Sequence, residues 1–232
     1  MDLMKDKIFV PIPITTSRLI IDEFKTSDYG RLQEIAFNIN HHADVHQSDG
    51  YCPFYTFQVE KGTPDRKNLI RQKVADFLIK AKREREQDPR STYRMAVRLL
   101  DGTLIGNATI DVLPIEEDGK KIYGDLGYFI DPQYGEKGYA TEAVRALSYH
   151  FFKHYEKMDI TAHPNNKYSR KLIERIGGKA VGYKKASHYG NSEPRIVFEI
   201  HKKDFYQTSP FNKQMSGLLT VLVNRQIGGL KK

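Results

Sequence analysis

Tyr123-Gly-Asp-Leu-Gly-Tyr-Phe-Ile-Asp-Pro-Gln-Tyr-Gly-Glu-Lys-Gly-Tyr-Ala-Thr-Glu-Ala143 is the stretch that decides the reading of this chain. An apolar strand runs into a glycine-containing loop, and the loop runs into a helix. Such a junction leaves backbone N–H groups without helical acceptors and presents the positive end of a helix dipole. It is a natural site for a phosphate. Gly135 and Gly138 allow close backbone approach to an anion, and Lys137 adds a cation. Two glycines in a loop are also compatible with ordinary strand–turn–helix packing.

Working outward, strands and helices alternate. Residues 17–24 read as a strand, with Leu19 and Ile21 apolar. Thr26, Ser27 and Asp28 offer cap chemistry for a helix striped by Leu32, Ile35 and Ala36. A second helix is predicted over 65–85, and Asp88-Pro89 ends it. Residues 93–100 and 103–113 flank Asp101-Gly102, a hairpin signal. A polar turn at 116–120 then leads to a strand over 121–130, completing an antiparallel meander. Helices follow over 140–154 and 166–176, the latter closed by Gly177-Gly178. Strands over 158–162, 179–186 and 195–202 finish the body. The expected fold is α/β, a mixed, mainly antiparallel central sheet flanked by helices.

Three segments stand outside this body. Residues 1–15 read as an N-terminal extension ahead of a domain over 16–204. Residues 38–64 form a long connection rich in histidine and aromatic residues, expected to be a packed lid or substrate loop. The tail 205–232 reads as an amphipathic helix, with Ser209 and Pro210 at its start and Phe211, Met215, Leu218, Leu219 and Leu222 at helical spacing. It would cover the body or form a homodimer contact.

Composition narrows the function classes. The chain has 232 residues, enough for one full core, and its 39% hydrophobic and 28% charged residues are those of an ordinary globular protein. A single cysteine, Cys52, excludes an intrachain disulfide framework and a Cys-rich zinc site. His42 and His46 would share a helix face, but neither a Cys nor a His-Glu-x-x-His pattern accompanies them, so no metal is expected. No apolar run reaches the roughly 18 residues of a membrane span, and residues 1–14 lack a signal-peptide core. A cytoplasmic protein without membrane contact is expected. The net charge of +8 suits a polyanionic partner, whether nucleic acid, acidic protein, membrane surface or a phosphorylated cofactor, and composition does not choose among these.

Three motifs together carry a family resemblance. Asp125-Leu-Gly-Tyr-Phe-Ile-Asp-Pro132 followed by Lys137-Gly-Tyr-Ala-Thr-Glu-Ala143 resembles the acetyl-CoA loop of the GCN5-related N-acetyltransferase (GNAT) superfamily. Asn166-Lys-Tyr-Ser169, then Leu172 to Gly177, resembles the helix that follows in that family. Thr16-Ser-Arg-Leu-Ile-Ile-Asp-Glu23 resembles the first strand of its RimJ/RimL-like branch, which acetylates ribosomal-protein N-termini. The match departs at Gly135, where the family has Gln or Arg, at Glu136, often Gly in this branch, and at Gly178, where an aromatic is usual.

The resemblance implies acetyl transfer from acetyl-CoA to a primary amine, by direct attack on the thioester. It assigns the pantetheine arm to the backbone of Tyr128, Phe129 and Ile130 and to Asn166. The pyrophosphate falls to Gly135, Lys137, Gly138, Tyr139, Ala140 and Thr141. Ser169 becomes the candidate general acid and Asp125 the candidate base. With no obvious strong base, a protein N-terminal α-amine is the easier acceptor than a lysine, because it titrates near 8 rather than near 10.4. A small-molecule amine such as a polyamine or aminoglycoside is the alternative, and a non-catalytic acyl-CoA-binding protein a further one. Nucleic acid enters only through a ribosomal substrate.

Overall fold

The computed structural model describes residues 10–45, 56–112, 115–117, 120–122, 124–188 and 191–208. A five-stranded antiparallel sheet has the order β1-β2-β3-β4-β7, built from β1 (Ile14–Thr15), β2 (Leu19–Glu23), β3 (Thr92–Leu99), β4 (Leu104–Asp111) and β7 (Leu126–Ile130). Between β4 and β7 the chain makes a small hairpin, β5 (Ile115–Glu117) and β6 (Lys120–Ile122). The strand expected over 121–130 is therefore divided. A second antiparallel sheet, ordered β8-β10-β9, comprises β8 (Lys157–Ala162), β9 (Gly178–His188) and β10 (Asn191–His201). The helices are α1 (Tyr29–Val45), α2 (Arg66–Arg85), α3 (Tyr139–Phe151), α4 (Lys167–Arg175) and α5 (Lys202–Thr208).

Strand alternation gives the large sheet two buried faces. Met95, Val97, Ile105, Ile110 and Ile130 point to one, against Val144, Leu147 and Phe151 of α3 and Leu172 and Ile173 of α4. Ala96, Leu104 and Phe129 point to the other, against Leu32, Ile35 and Ile39 of α1 and Val74 and Phe77 of α2. β4 is buried along nearly its whole length, as its central position requires. β7 is the last strand of this sheet, so one of its edges keeps backbone polar groups without a partner strand in the sheet.

Helix α1 runs eight residues into the segment expected to be a connection, ending at Val45 rather than near 38. Its apolar stripe continues through Ile39 and Ala43. The buried Asn40 donates to Ala36 O and Phe57 O and accepts from the Val59 N–H, so the returning chain is pinned onto the helix. Phe57 is fully buried edge-on to Phe77 and Phe129. Residues 46–55, with His46 and Cys52, lie outside the described residues. So does the tail from residue 209, with the helix and dimer contact expected there.

Segments assigned to the extensions join the body. Val10 is in the core and Ile14–Thr15 pairs with β2. Phe205 of α5 packs on Phe152, ring centroids 4.8 Å apart. The chain enters α1 through a 3-10 turn at Thr26–Asp28, where Asp28 accepts from the Lys25 N–H. Asp28 also takes both terminal nitrogens of Arg98, at 2.9 and 2.7 Å, while Arg98 Nε reaches Asp22 at 2.7 Å.

Gly178 has a specific reason to be glycine. A Cβ there would lie 2.3 Å from Ile173 Cγ2 and 2.9 Å from Ile173 O. The close seat of α4 on β9 leaves no room for the aromatic usual at this position.

Candidate active site

A cleft of about 760 Å³ opens along β7. One wall is the loop after β7 and the start of α3; the opposite wall is the end of β8 and α4. Of the residues predicted from sequence, Asp125, Tyr128, Phe129, Ile130, Gly135, Gly138, Tyr139, Ala140, Thr141, Asn166 and Ser169 all line it. Lys137 does not: its ammonium sits 5.4 Å over the Tyr134 ring, and its contribution to the loop is its carbonyl.

The loop is built from Asp131 onward. Asp131 is fully buried, and its carboxylate accepts from the Gln133 N–H, which starts the turn at Pro132–Tyr134. Arg31 Nη2 at 2.6 Å and Asn38 Nδ2 at 3.1 Å hold the same carboxylate from α1. The chain then passes through Glu136 at φ +59° and Gly138 at φ +81°. Gly138 caps α3 in the left-handed region, where a side chain is disfavoured. The first intrahelical bond runs from the Glu142 N–H to Gly138 O, so the N–H groups of Tyr139, Ala140 and Thr141 precede the helical ladder. Cleft-lining backbone, a positive helix end and two left-handed residues fit a pyrophosphate. The Glu136 carboxylate is turned to the Tyr168 hydroxyl, at 3.3 Å.

On the opposite wall, Asn166 caps α4: its Oδ1 accepts from the Ser169 N–H at 2.9 Å. This commits the carboxamide oxygen to the cap. Ser169 Oγ accepts from the Tyr128 hydroxyl at 2.8 Å, a bond that bridges β7 and α4 across the cleft. Tyr128, which sequence alone allows as simple packing, is thus a member of the polar constellation.

Strand alternation puts Leu126, Tyr128 and Ile130 on the α3/α4 face and Asp125, Gly127 and Phe129 on the α1/α2 face. The Phe129 ring is buried among Phe57 and Phe77, so only its backbone serves the cleft. The Asp125 carboxyl is open to cleft solvent yet surrounded by protein. Desolvation pushes its pKa up to about 6, repulsion from Asp111 adds to this, and the Leu126 N–H, Lys184 and Arg195 oppose it. Lys184 and Arg195 are cross-strand partners in β9 and β10 and also line the cleft. With His42 of α1, they are lining residues that sequence reading did not assign to the site. The positions of β9 and β10 relative to the loop are set by topology, with no local motif to reveal them. The described residues contain no cluster of three potential metal ligands. No described helix is long and apolar enough to cross a membrane.

Comparison with known proteins agrees with this geometry. The acetyltransferase (GNAT) domain model matches residues 18–179. No curated protein matches the sequence. Among solved structures, Mycobacterium smegmatis RimJ in complex with CoA-disulfide aligns with TM-score 0.60 at 18% identity, over 80% of this chain and 83% of that one. The ribosomal-protein-S5-alanine acetyltransferase of Vibrio fischeri aligns with TM-score 0.56 at 16% identity, over 84% and 99%. RimL, a ribosomal L7/L12 α-N-protein acetyltransferase, aligns with TM-score 0.57 at 13% identity, over 85% and 97%. The chain belongs to the GNAT acetyltransferase family and is an acetyl-CoA-dependent N-acetyltransferase.

Proposed function

We propose that the acceptor is the α-amine of a protein N-terminus. The observation that carries this reading is the charge of the cleft around Asp125. Among the described lining residues, Asp125 faces two cations, Lys184 and Arg195, and the other acidic one, Glu136, belongs to the loop; Asp111 acts on Asp125 without lining the cleft. A polyamine or aminoglycoside brings several positive charges and needs an acidic surface, which the described lining, with Lys184 and Arg195 beside Asp125, does not supply. A peptide N-terminus brings one.

The acid–base balance points the same way. A base with pKa about 6 takes a proton from an α-ammonium of pKa about 8 far more easily than from a lysine of about 10.4; the difference is about 3 kcal/mol. Acetyl-CoA supplies the activated thioester. The chain supplies the rest in this reading. Asp125 receives the amine proton, directly or through water. The outer edge of β7 orients the acyl arm and offers a backbone N–H to the carbonyl oxygen. Tyr128 and Ser169, hydrogen-bonded at 2.8 Å, deliver a proton to the departing sulfur in this reading. The RimJ and RimL neighbours support this acceptor class by likeness of fold.

The test is an acceptor panel: short peptides with free N-termini, the same peptides N-blocked but carrying lysine, and polyamines and aminoglycosides. Turnover on free N-termini, absent from the blocked peptides, is expected. Preference for a polyamine or aminoglycoside would overturn the proposal.

A further inference from the structure

We propose that Arg18 is the positioning residue of the pyrophosphate loop, aiming the Gly138 N–H and the first turn of α3 into the cleft. This rests on the acetyl-CoA reading of that loop. Arg18 does not line the cleft, so it acts through the groups it holds.

Its guanidinium is shared three ways. Nε and Nη2 reach Glu142 Oε2 at 2.7 and 2.6 Å, and Nη1 donates to the Lys137 carbonyl at 3.0 Å. The guanidinium also lies over the Tyr139 ring, 4.7 Å from its centroid. Two consequences follow. A trans peptide points its C=O and N–H in opposite directions. Holding Lys137 O on the Arg18 side therefore turns the Gly138 N–H away from Arg18. Second, Glu142 stands in the first turn of α3, where a free carboxylate would repel a pyrophosphate. Arg18 and its neighbours draw that charge off: Glu142 Oε1 also accepts from Thr16 Oγ1 at 2.6 Å and from the Arg18 N–H at 3.1 Å. Burial tends to raise the Glu142 pKa, but these bonds outweigh it and hold the carboxyl below its ordinary range.

A lone exposed ion pair would be worth little. Here the carboxylate is only 14% exposed, Nε and Nη2 of the guanidinium fork both converge on its Oε2, and a backbone carbonyl is the third point. Nη2 also lies 3.5 Å from where a Cβ on Gly138 would be, so the arginine fills the space beside the cap.

The experiment is calorimetric titration of the full chain and of Arg18→Met with acetyl-CoA, and with S-acetylpantetheine, which lacks the pyrophosphate, by competition. Thermal unfolding is followed on the same samples. The variant is expected to bind acetyl-CoA about tenfold more weakly, the loss of one charge-assisted contact at the helix end. Its loss toward S-acetylpantetheine should be under about twofold. Arg18→Lys keeps the charge near Glu142 but not the fork, and should fall between the two; it decides the matter if the methionine variant does not fold. Unchanged acetyl-CoA affinity, or equal losses for both probes, would overturn the inference. Failure of the unsubstituted protein to bind acetyl-CoA is a different result, and would overturn the reading of the loop itself.

Discussion

Replacing Asp125 with Asn removes the group whose ionisation the proposed chemistry needs. The carboxyl has an ordinary pKa of 3.8 and is pushed to about 6 in the folded protein, first by desolvation and then by Asp111. At pH 7 it is about nine-tenths ionised, and at pH 5 about one-tenth. The acceptor α-amine loses its proton near 8. For the unsubstituted enzyme, log kcat/KM should therefore climb with a slope approaching two below pH 6 and a slope of one between 6 and 8. Asp125→Asn should leave a slope of one throughout, with a fall of about 10²–10⁴-fold at pH 8. Stability moves the other way. A raised carboxyl pKa contributes stability that is present below 3.8 and lost as pH rises through about 6. The gap of about 2 corresponds to at most about 3 kcal/mol, and screening by cleft water reduces it to about 1 kcal/mol. The asparagine variant should thus unfold at higher temperature than its parent at pH 7.5 and at a similar temperature at pH 4. A steep limb below pH 6 that survives the substitution would refute Asp125 as the base.

Ser169→Ala and Tyr128→Phe should each lower kcat more than they weaken acetyl-CoA binding, since they interrupt one 2.8 Å hydrogen bond; turnover equal to that of the parent would reduce the pair to a packing contact. Gly138→Asp should weaken acetyl-CoA binding while the circular dichroism stays unchanged, at about 1–2 kcal/mol of left-handed strain. The added carboxylate would emerge beside Arg18 and compete with Glu142, and calorimetry showing unaltered affinity would remove Gly138 from the site. Asp28→Ala leaves Arg98 buried with only Asp22, and should cost about 3 kcal/mol in denaturant unfolding.

What could be read from the sequence was whatever depends on short-range order. The 3.6-residue stripe of α2 and the Asp101-Gly102 turn place their elements within a residue or two. The loop 131–141 and the Asn166 cap are likewise contiguous, so these parts of the cleft were legible. Two features were not. The second half of α1 carries Asn38, Asn40, His41 and His42, which read as loop. Their helical state depends on tertiary bonds, Asn38 to Asp131 and Asn40 to the backbone at Phe57 and Val59. The cations at Lys184 and Arg195 reach the cleft because β10 pairs between β8 and β9, a long-range outcome that no local pattern encodes. Arg18 was visible within its motif, but its partners lie 119 and 124 positions away.

In the proposed reaction, the placement of these groups puts the chemistry on β7. Its α3/α4 face presents Tyr128 toward Ser169, beside the loop proposed to hold the pyrophosphate. Its other face carries Asp125 and Gly127 and looks toward His42 and the β9–β10 cations. The two reactants thus approach one strand from opposite sides. They can meet only along its free edge, because β4 occupies the other edge from Gly106 to Ile110. Gly127 keeps this route open: a Cβ there would touch only Thr109, at 3.8 Å, so a large side chain would fold without clash yet fill the cleft. Gly127→Leu should therefore retain the melting temperature of the parent and lose turnover, with acetyl-CoA affinity falling less than kcat. Full turnover in that variant would mean that acceptor and cofactor share one face of β7, and the division of labour across the strand would have to be abandoned.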